Sequence, residues 1–156
     1  MIIGIDPGFT GAIAVVKESG TFEIHDMPTT TRGGKTVLNI HRILYILKRV
    51  HQHTRIFLER AQAMPKQGVV GVFRYAESYG MLQGLIVSQY MTYVTVPPQA
   101  WKKRMGLIKK SKEESVELAK ELFPEFKPTL KKHHNQAEAL LLAYWGNNFY
   151  KGEYDG

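Results

Sequence analysis

Cysteine is absent from the 156 residues, which excludes disulfides, thiolate metal sites, zinc fingers and cysteine nucleophiles together. A reducing compartment such as the cytoplasm is the simpler expectation. No apolar run approaches the ~20 residues that span a bilayer, and the N-terminus lacks a basic region followed by a signal-peptide core. A soluble protein, unprocessed at that end and without a membrane partner, is therefore expected. Nor does the chain offer a Ser-His-Asp arrangement that can be defended, so a side-chain nucleophile is not expected. Acidic residues are in the minority: 21 Lys and Arg stand against 14 Asp and Glu, a formal charge of +7 and a pI near 9.6. That balance favours a polyanionic partner, with nucleic acid ahead of an anionic membrane because no strongly basic amphipathic helix stands out. Many basic domains bind nothing in particular, so charge only supports what other features must carry.

A hydrophobic content of 44% at this length fits one compact domain with a real core. The organising stretch is Ile2 to Val16. A short apolar strand ends on Asp6, Pro7-Gly8 turns the chain, and a second apolar run follows, which together predict a hairpin. A carboxylate at the end of an apolar strand can cap the turn, face solvent, accept backbone N–H groups, or hold a metal or phosphate. Thr21 to Met27 alternates with period two and predicts a third, antiparallel strand. Pro28 to Lys35 has no apolar residue and reads as a flexible loop whose Arg and Lys can meet phosphate, with simple solvation as the ordinary account. From Val37 to Val50, Ile40, Ile43, Leu44, Leu47 and Val50 follow helical spacing and predict a core-covering helix.

Arg55 to Glu59 repeats the opening pattern, an apolar strand ending on a carboxylate. A strand-helix-strand order implies parallel pairing, and it places Glu59 at the same sheet end as Asp6 if the two strands are neighbours. Two such carboxylates repel unless a cation lies between them. After a loop from Arg60 to Gly71, a long helix is expected over roughly Val72 to Tyr90, with Phe73, Ala76, Tyr79, Gly80, Gln83, Gly84 and Val87 along one side. Gly80 and Gly84 are one turn apart and would let another element approach closely, either inside the chain or across a dimer face. Tyr93 to Val96 predicts a strand stopped by Pro97-Pro98. Pro98 to Arg104 opens a short helix with the basic cluster Lys102, Lys103 and Arg104 beside Trp101, an exposed-looking aromatic whose commoner role is a core anchor; Lys109 and Lys110 prolong the run. Ser111 and Glu114 form a capping box for a helix with Val116, Ala119, Leu122 and Phe123 inward. The last helix starts near His134 and sets Glu138 alone in an apolar surface. From Asn147 a polar tail is expected to be loosely ordered, so that 1–146 form the domain and 147–156 a tail.

A Glu near a helix start is ordinarily a partner of the helix dipole. Here His134 at i−4 and Asn135 at i−3 can share its face, and Asp6, Glu59, Glu138 and one of these two make a four-member, sulfur-free constellation suited to a hard divalent cation. Such a donor set selects Mg²⁺ or Mn²⁺ over zinc, and two ions can align a water for attack on a phosphodiester. Net positive charge elsewhere would hold the DNA, with Gln62, Lys66, Gln67 and Arg74 of the following loop and helix joining Lys102, Lys103, Arg104, Lys109 and Lys110 as DNA-contacting candidates.

The order of these elements resembles the RNase H-like nuclease fold: an α/β domain with a five-stranded mixed sheet, three antiparallel strands then parallel ones, flanked by helices on both faces. More narrowly, GIDPGFTGAIAVV, FLERAQAMPKQGVVGVFRYAESYGMLQG, PPQAWKK and HHNQAEALLLA resemble a phage-type branch of the RuvC Holliday-junction resolvases, from Met1 to about Gly146. The resemblance implies a homodimer, joined through the helix around Val72 to Tyr90, that binds four-way DNA junctions and cuts two strands with Mg²⁺ or Mn²⁺. By position Asp6, Glu59 and Glu138 match the family's acids. The remaining acid falls where His134 and Asn135 stand; His134 is the preferred fourth group, whereas an Asn there would weaken the second ion or mark an inactive protein. It also implies that the loop after Glu59 probes the junction centre, and that the place of action is the cytoplasm of a bacterium, or of the host if the chain is phage-encoded. Two other readings stand beside the endonuclease: a non-catalytic junction-binding module, and an actin-like phosphotransferase suggested by Asp6 to Thr10. The latter fold needs two domains, so no nucleotide cofactor is expected.

Overall fold

The computed structural model describes residues 1–62, 68–130 and 133–152. A five-stranded sheet in the order β3-β2-β1-β6-β7 is built from β1 (Ile2–Asp6), β2 (Ala12–Val16), β3 (Phe22–Asp26), β6 (Arg55–Glu59) and β7 (Tyr93–Val96). β1, β2 and β3 pair antiparallel, while β6 runs parallel to β1 and β7 parallel to β6. The mixed sheet expected from the sequence is therefore present. Among the described residues no helix is long and apolar enough to cross a membrane.

The pleat divides the core into two layers, because alternate side chains of a strand leave opposite faces. Ile3, Ile5, Ile56 and Leu58 face α1 (Ile40–Lys48) and α2 (Val69–Ser88), where they meet Ile43, Ile46, Leu47, Leu82 and Ile86. Ile2 and Phe57 face the opposite layer, made of α3 (Pro98–Arg104), α4 (Lys112–Leu122) and α5 (His134–Asn148). The central helix α5 buries eight residues on all sides, from Ala137 to Gly146, as a helix enclosed by sheet and neighbours must. Its alanines let β1 come close. A Cβ added at Gly4 would lie 2.1 Å from the Ala139 carbonyl oxygen and 2.7 Å from the Ala143 nitrogen.

Four expectations need correction. Pro28 to Lys35 is not a loop: β4 (Thr29–Arg32) and β5 (Lys35–Leu38) form a separate hairpin. Gly33 and Gly34 both adopt positive φ, 56° and 72°, the geometry a two-residue hairpin turn requires. Val37 and Leu38 therefore belong to β5, and α1 starts only at Ile40, where Asn39 accepts a hydrogen bond from the Arg42 N–H at 3.1 Å. In α2 the buried face is Ser78, Leu82 and Ile86; Phe73 and Val87 are 69% and 58% exposed, and no described atom approaches a Cβ placed at Gly80 or Gly84. The helix stops at Ser88, two residues before the expected Tyr90. Finally, the chain after Gly146 is not loose throughout: α5 continues to Asn148, and the Tyr150 ring packs 5.3 Å from Phe57 and 6.2 Å from Trp145. The capping box of Ser111 and Glu114 is present as expected.

Because the atoms facing Gly4 are backbone, they cannot swing aside. Gly4→Ala is expected to destabilise the fold by about 3 kcal/mol through overpacking. Urea denaturation reads this directly, and an unshifted midpoint would contradict the close β1–α5 approach.

Candidate active site

Asp6 is in phase with Gly4 along β1, and Glu59 is in phase with Phe57 along β6, so both carboxylates leave the sheet on the α5 face. Parallel pairing of β1 with β6 brings both strand ends to the same edge. Glu138, in the first turns of α5, meets them there. One carboxylate oxygen from each of Asp6, Glu59 and Glu138 lies within 4.8 Å of the others, and all three side chains are half-buried. The end of α5 is fastened to this edge by side-chain amides: Asn135 Nδ2 donates to the Thr10 carbonyl, and Gln136 Nε2 donates to Asp26 Oδ1 at 2.7 Å.

Helix α3 clamps two of the acids. Trp101, fully buried, donates its indole N–H to Glu59 Oε2 at 2.7 Å. Lys102 Nζ donates to Glu138 Oε1 at 2.8 Å and lies 5.1 Å from the Trp101 ring centroid. Burial, and then the neighbouring charges of Glu59 and Glu138, push the Asp6 carboxyl well above the ordinary carboxylate range. Burial also raises Glu59, and the Trp101 hydrogen bond only partly offsets it. For Lys102, burial works against the charged form, but the hydrogen bond and charge of Glu138, with Glu59 and Asp6 behind it, hold its pKa above the usual value. A carboxyl that resists ionisation through burial and like charges is one whose energy falls sharply when a cation arrives. The donor set is all oxygen, as hard divalent ions require.

Asp6 and Glu138 open onto a cleft of about 410 Å³ whose walls carry Lys102, Lys109, Lys110 and Lys112. An acidic floor under a cationic wall is the electrostatic shape of a phosphodiester site. His134 and Asn135 line the same cleft, and His134 stands outside the group of mutually close ligand atoms. The His134 Nε2 is 3.0 Å from Lys112 Nζ.

The remaining DNA-contacting candidates scatter. Gln62 pairs with Gln99 through amides 3.4 Å apart. The guanidinium of Arg74 donates to the Thr36 carbonyl at 2.6 Å and lies 5.1 Å from the Phe9 ring centroid. Lys103 is exposed, and Arg104 lies over the Phe149 ring at 4.7 Å. Lys109 and Lys110 reach the cleft, with Lys110 bridged to Glu114 at 2.8 Å. Lys66 and Gln67 fall outside the described residues. Of the two readings open for Trp101 the core anchor holds, with its indole N–H turned to Glu59, whereas Lys102 faces the acids rather than an outer surface. Lys112, on the cleft wall, was not singled out by sequence. Its signal was the run of lysines from 109 to 112, which the capping box obscured.

No family model matches the chain. Over 92 residues, 57% of the chain, it is 35% identical to the chloroplastic Holliday junction resolvase MOC1 of Chlamydomonas reinhardtii. That match spans only 10% of the relative's length. Thermus thermophilus RuvC superposes with a TM-score of 0.55 at 15% identity, covering 94% of this chain and 95% of that one. T. thermophilus RuvC in complex with a Holliday junction substrate gives 0.61 at 15% identity, covering 94% of each chain. The fold is thus RuvC-like, within the RNase H-like class.

The raised carboxyls set the sign of a pH effect. Their folded pKa exceeds the unfolded one, so the cluster's contribution to stability is fully present below the unfolded value and is lost as pH rises through the folded value. The metal-free protein should therefore lose stability from about pH 4 upward on account of Asp6 and Glu59. Divalent cations need the ionised oxygens, so the rise in Tm on adding Mn²⁺ should be larger at about pH 8 than at about pH 5. Asp6→Asn should raise the metal-free Tm at the higher pH and abolish the Mn²⁺ shift. Equal Mn²⁺ shifts in both proteins would show that Asp6 holds no cation.

Proposed function

We propose that this chain is a divalent-metal-dependent endonuclease that cuts four-way DNA junctions by phosphodiester hydrolysis. The observation that carries the reading is the convergence of Asp6, Glu59 and Glu138, from three distant segments, within 4.8 Å beside a lysine-walled cleft. The 35% identity to a Holliday junction resolvase over 92 residues supports the junction as substrate, and the sequence blocks from GIDPG to HHNQAEALLLA are the ground for a phage-type branch. Lack of cysteine suits the reducing cytoplasm as the place of action.

Asp6, Glu59 and Glu138 are the residues that would hold Mg²⁺ or Mn²⁺, two ions per site in this reading. Bound there, the ions would supply positive charge at the phosphate and a water of lowered pKa. Everything else is done by side chains. Trp101 fixes Glu59 through one oxygen, Oε2, and makes no bond to the other. Lys102 holds Glu138 and keeps a cation beside the phosphate position, while Lys109, Lys110 and Lys112 draw the polyanion into the cleft. His134, on the wall of the same cleft, is taken as the fourth group, as the sequence resemblance implies; the Asn135 amide N–H bond to the Thr10 carbonyl leaves its Oδ1 as the competing ligand atom.

Symmetrical cutting needs two sites, and α2 offers the surface. Val69, Phe73, Ala76, Gly80, Gly84 and Val87 form an exposed, uncharged stripe at intervals of three, four or seven residues, with the glycines open to close approach. Such a stripe is self-complementary across a two-fold axis, and we assign it to a homodimer.

Glu59→Ala should leave junction binding largely intact and lower Mg²⁺-dependent cleavage by about a thousandfold or more. Undiminished cutting by a clean preparation would refute the active site, and binding by the wild type without any cleavage in Mg²⁺ or Mn²⁺ would favour a non-catalytic junction-binding module. Gly84→Arg costs the monomer nothing, since its Cβ meets open space, yet should yield monomers in sedimentation. A dimeric mass for that variant would remove α2 from the interface.

A further inference from the structure

The β4–β5 hairpin shares no hydrogen-bonded strand with the main sheet, and both strands are largely exposed. A two-stranded hairpin without a core of its own is marginal in water, so its persistence on this surface calls for a use. Its position follows from register. Asp6 pairs with Ala12 and Ala12 with Asp26, so β3 ends at the sheet edge that carries the acids, and β4 begins three residues later. The hairpin therefore rises from the active-site edge. It is held there by the Asn39 N–H donating to the Pro28 carbonyl at 2.8 Å and by Arg74 of α2 donating to the Thr36 carbonyl at 2.6 Å.

Between the hairpin and the N-terminal half of α2 runs a groove of about 360 Å³. Phe9, Val37 and Met81 give it an apolar floor, Phe73 of the stripe assigned to the homodimer borders it, and Arg32, Lys35 and Arg74 give it a cationic rim, against one carboxylate, Glu77. Arg32 and Lys35 flank the Gly33-Gly34 tip, where both side chains stand exposed. The turn from Asp6 to Phe9 separates this groove from the acid cleft: Asp6 lines one and Phe9 lines the other. A strand leaving the cleft over that turn meets the groove next.

We propose that this groove is a second DNA site, binding the sugar–phosphate backbone of a strand outside the cleaved position, with Arg32 and Lys35 on its phosphates and Phe9 and Val37 against its sugars. The assignment rests on the nuclease reading for its ligand and on charge complementarity for its place. Phosphate contacts of this kind fix register and orientation without reading sequence. Arg74 acts as a positioning residue, holding the hairpin at the height of the groove.

The test compares Arg32→Ala with Lys35→Ala, as one double variant, against Lys48→Ala with Arg49→Ala. The second pair removes equal charge near the far end of the sheet, where α1 leads back toward the start of β6. Affinity for a four-way junction is measured without divalent cation across a salt series, and cleavage at saturating junction with Mg²⁺. The hairpin variant should bind about tenfold more weakly, with its salt slope reduced by about two, while cutting at the wild-type rate. The control variant should keep the wild-type slope. Hairpin and control variants with equal slopes would overturn the proposal while leaving a wild type that binds and cuts as a nuclease. A wild type that neither binds nor cuts would overturn both. An unchanged slope with a lowered sedimentation mass would assign the groove to a second copy of the chain instead.

Discussion

Three carboxylates held within 4.8 Å of one another repel, and the rest of this molecule can be understood as what forces them together. Asp6 and Glu59 have no freedom in the matter: parallel β1 and β6 end at one edge, and the pleat turns both side chains toward α5. Glu138 is brought in by a helix buried on all sides, whose lateral position is set by the contact of Gly4 with Ala139 and Ala143. The apolar layers on both faces of the sheet thus supply the free energy that the acid cluster opposes. Burial raises the Asp6 and Glu59 pKa values, and the same burial makes a cation the natural remedy.

Helix α3 gives that cluster its asymmetry. Two neighbouring residues serve different acids: Trp101 offers a neutral donor to Glu59, and Lys102 offers a charge to Glu138. One acid is fixed in orientation without being neutralised, and the other is partly neutralised. The Lys102 ammonium, close to the Trp101 ring, is itself held by that neighbour. This short helix, entered through Pro97 and Pro98, thereby sets both the geometry and the charge of the site.

Much of this was legible in the sequence wherever a buried face imposed a period. Strands ending in Asp6 and Glu59, their parallel relation, and Glu138 alone in an apolar helix could all be read, because each breaks a hydrophobic pattern at one position. The hairpin of β4 and β5 could not: with both faces in water its threonines and lysine carry no period, and only Gly33-Gly34 marked it. The buried side of α2 was not marked by its sequence, because Ser78 occupies it while Phe73 and Val87 point outward, so apolarity and burial part company along that helix. The partners of Trp101 and Lys102 lie 42 and 36 positions away, beyond any local pattern.

The distance in sequence between Asp6 and Glu138 has a consequence for the chain during synthesis. Asp6 leaves the ribosome well before Glu138, which belongs to α5, and β1 lacks its cover on that face until α5 docks on it. An incomplete polypeptide therefore carries two carboxylates without the third and without the layer that buries them. The three-acid cluster, on this architecture, comes into being only when α5 closes over β1, so its mutual repulsion is met last, by the burial of that helix.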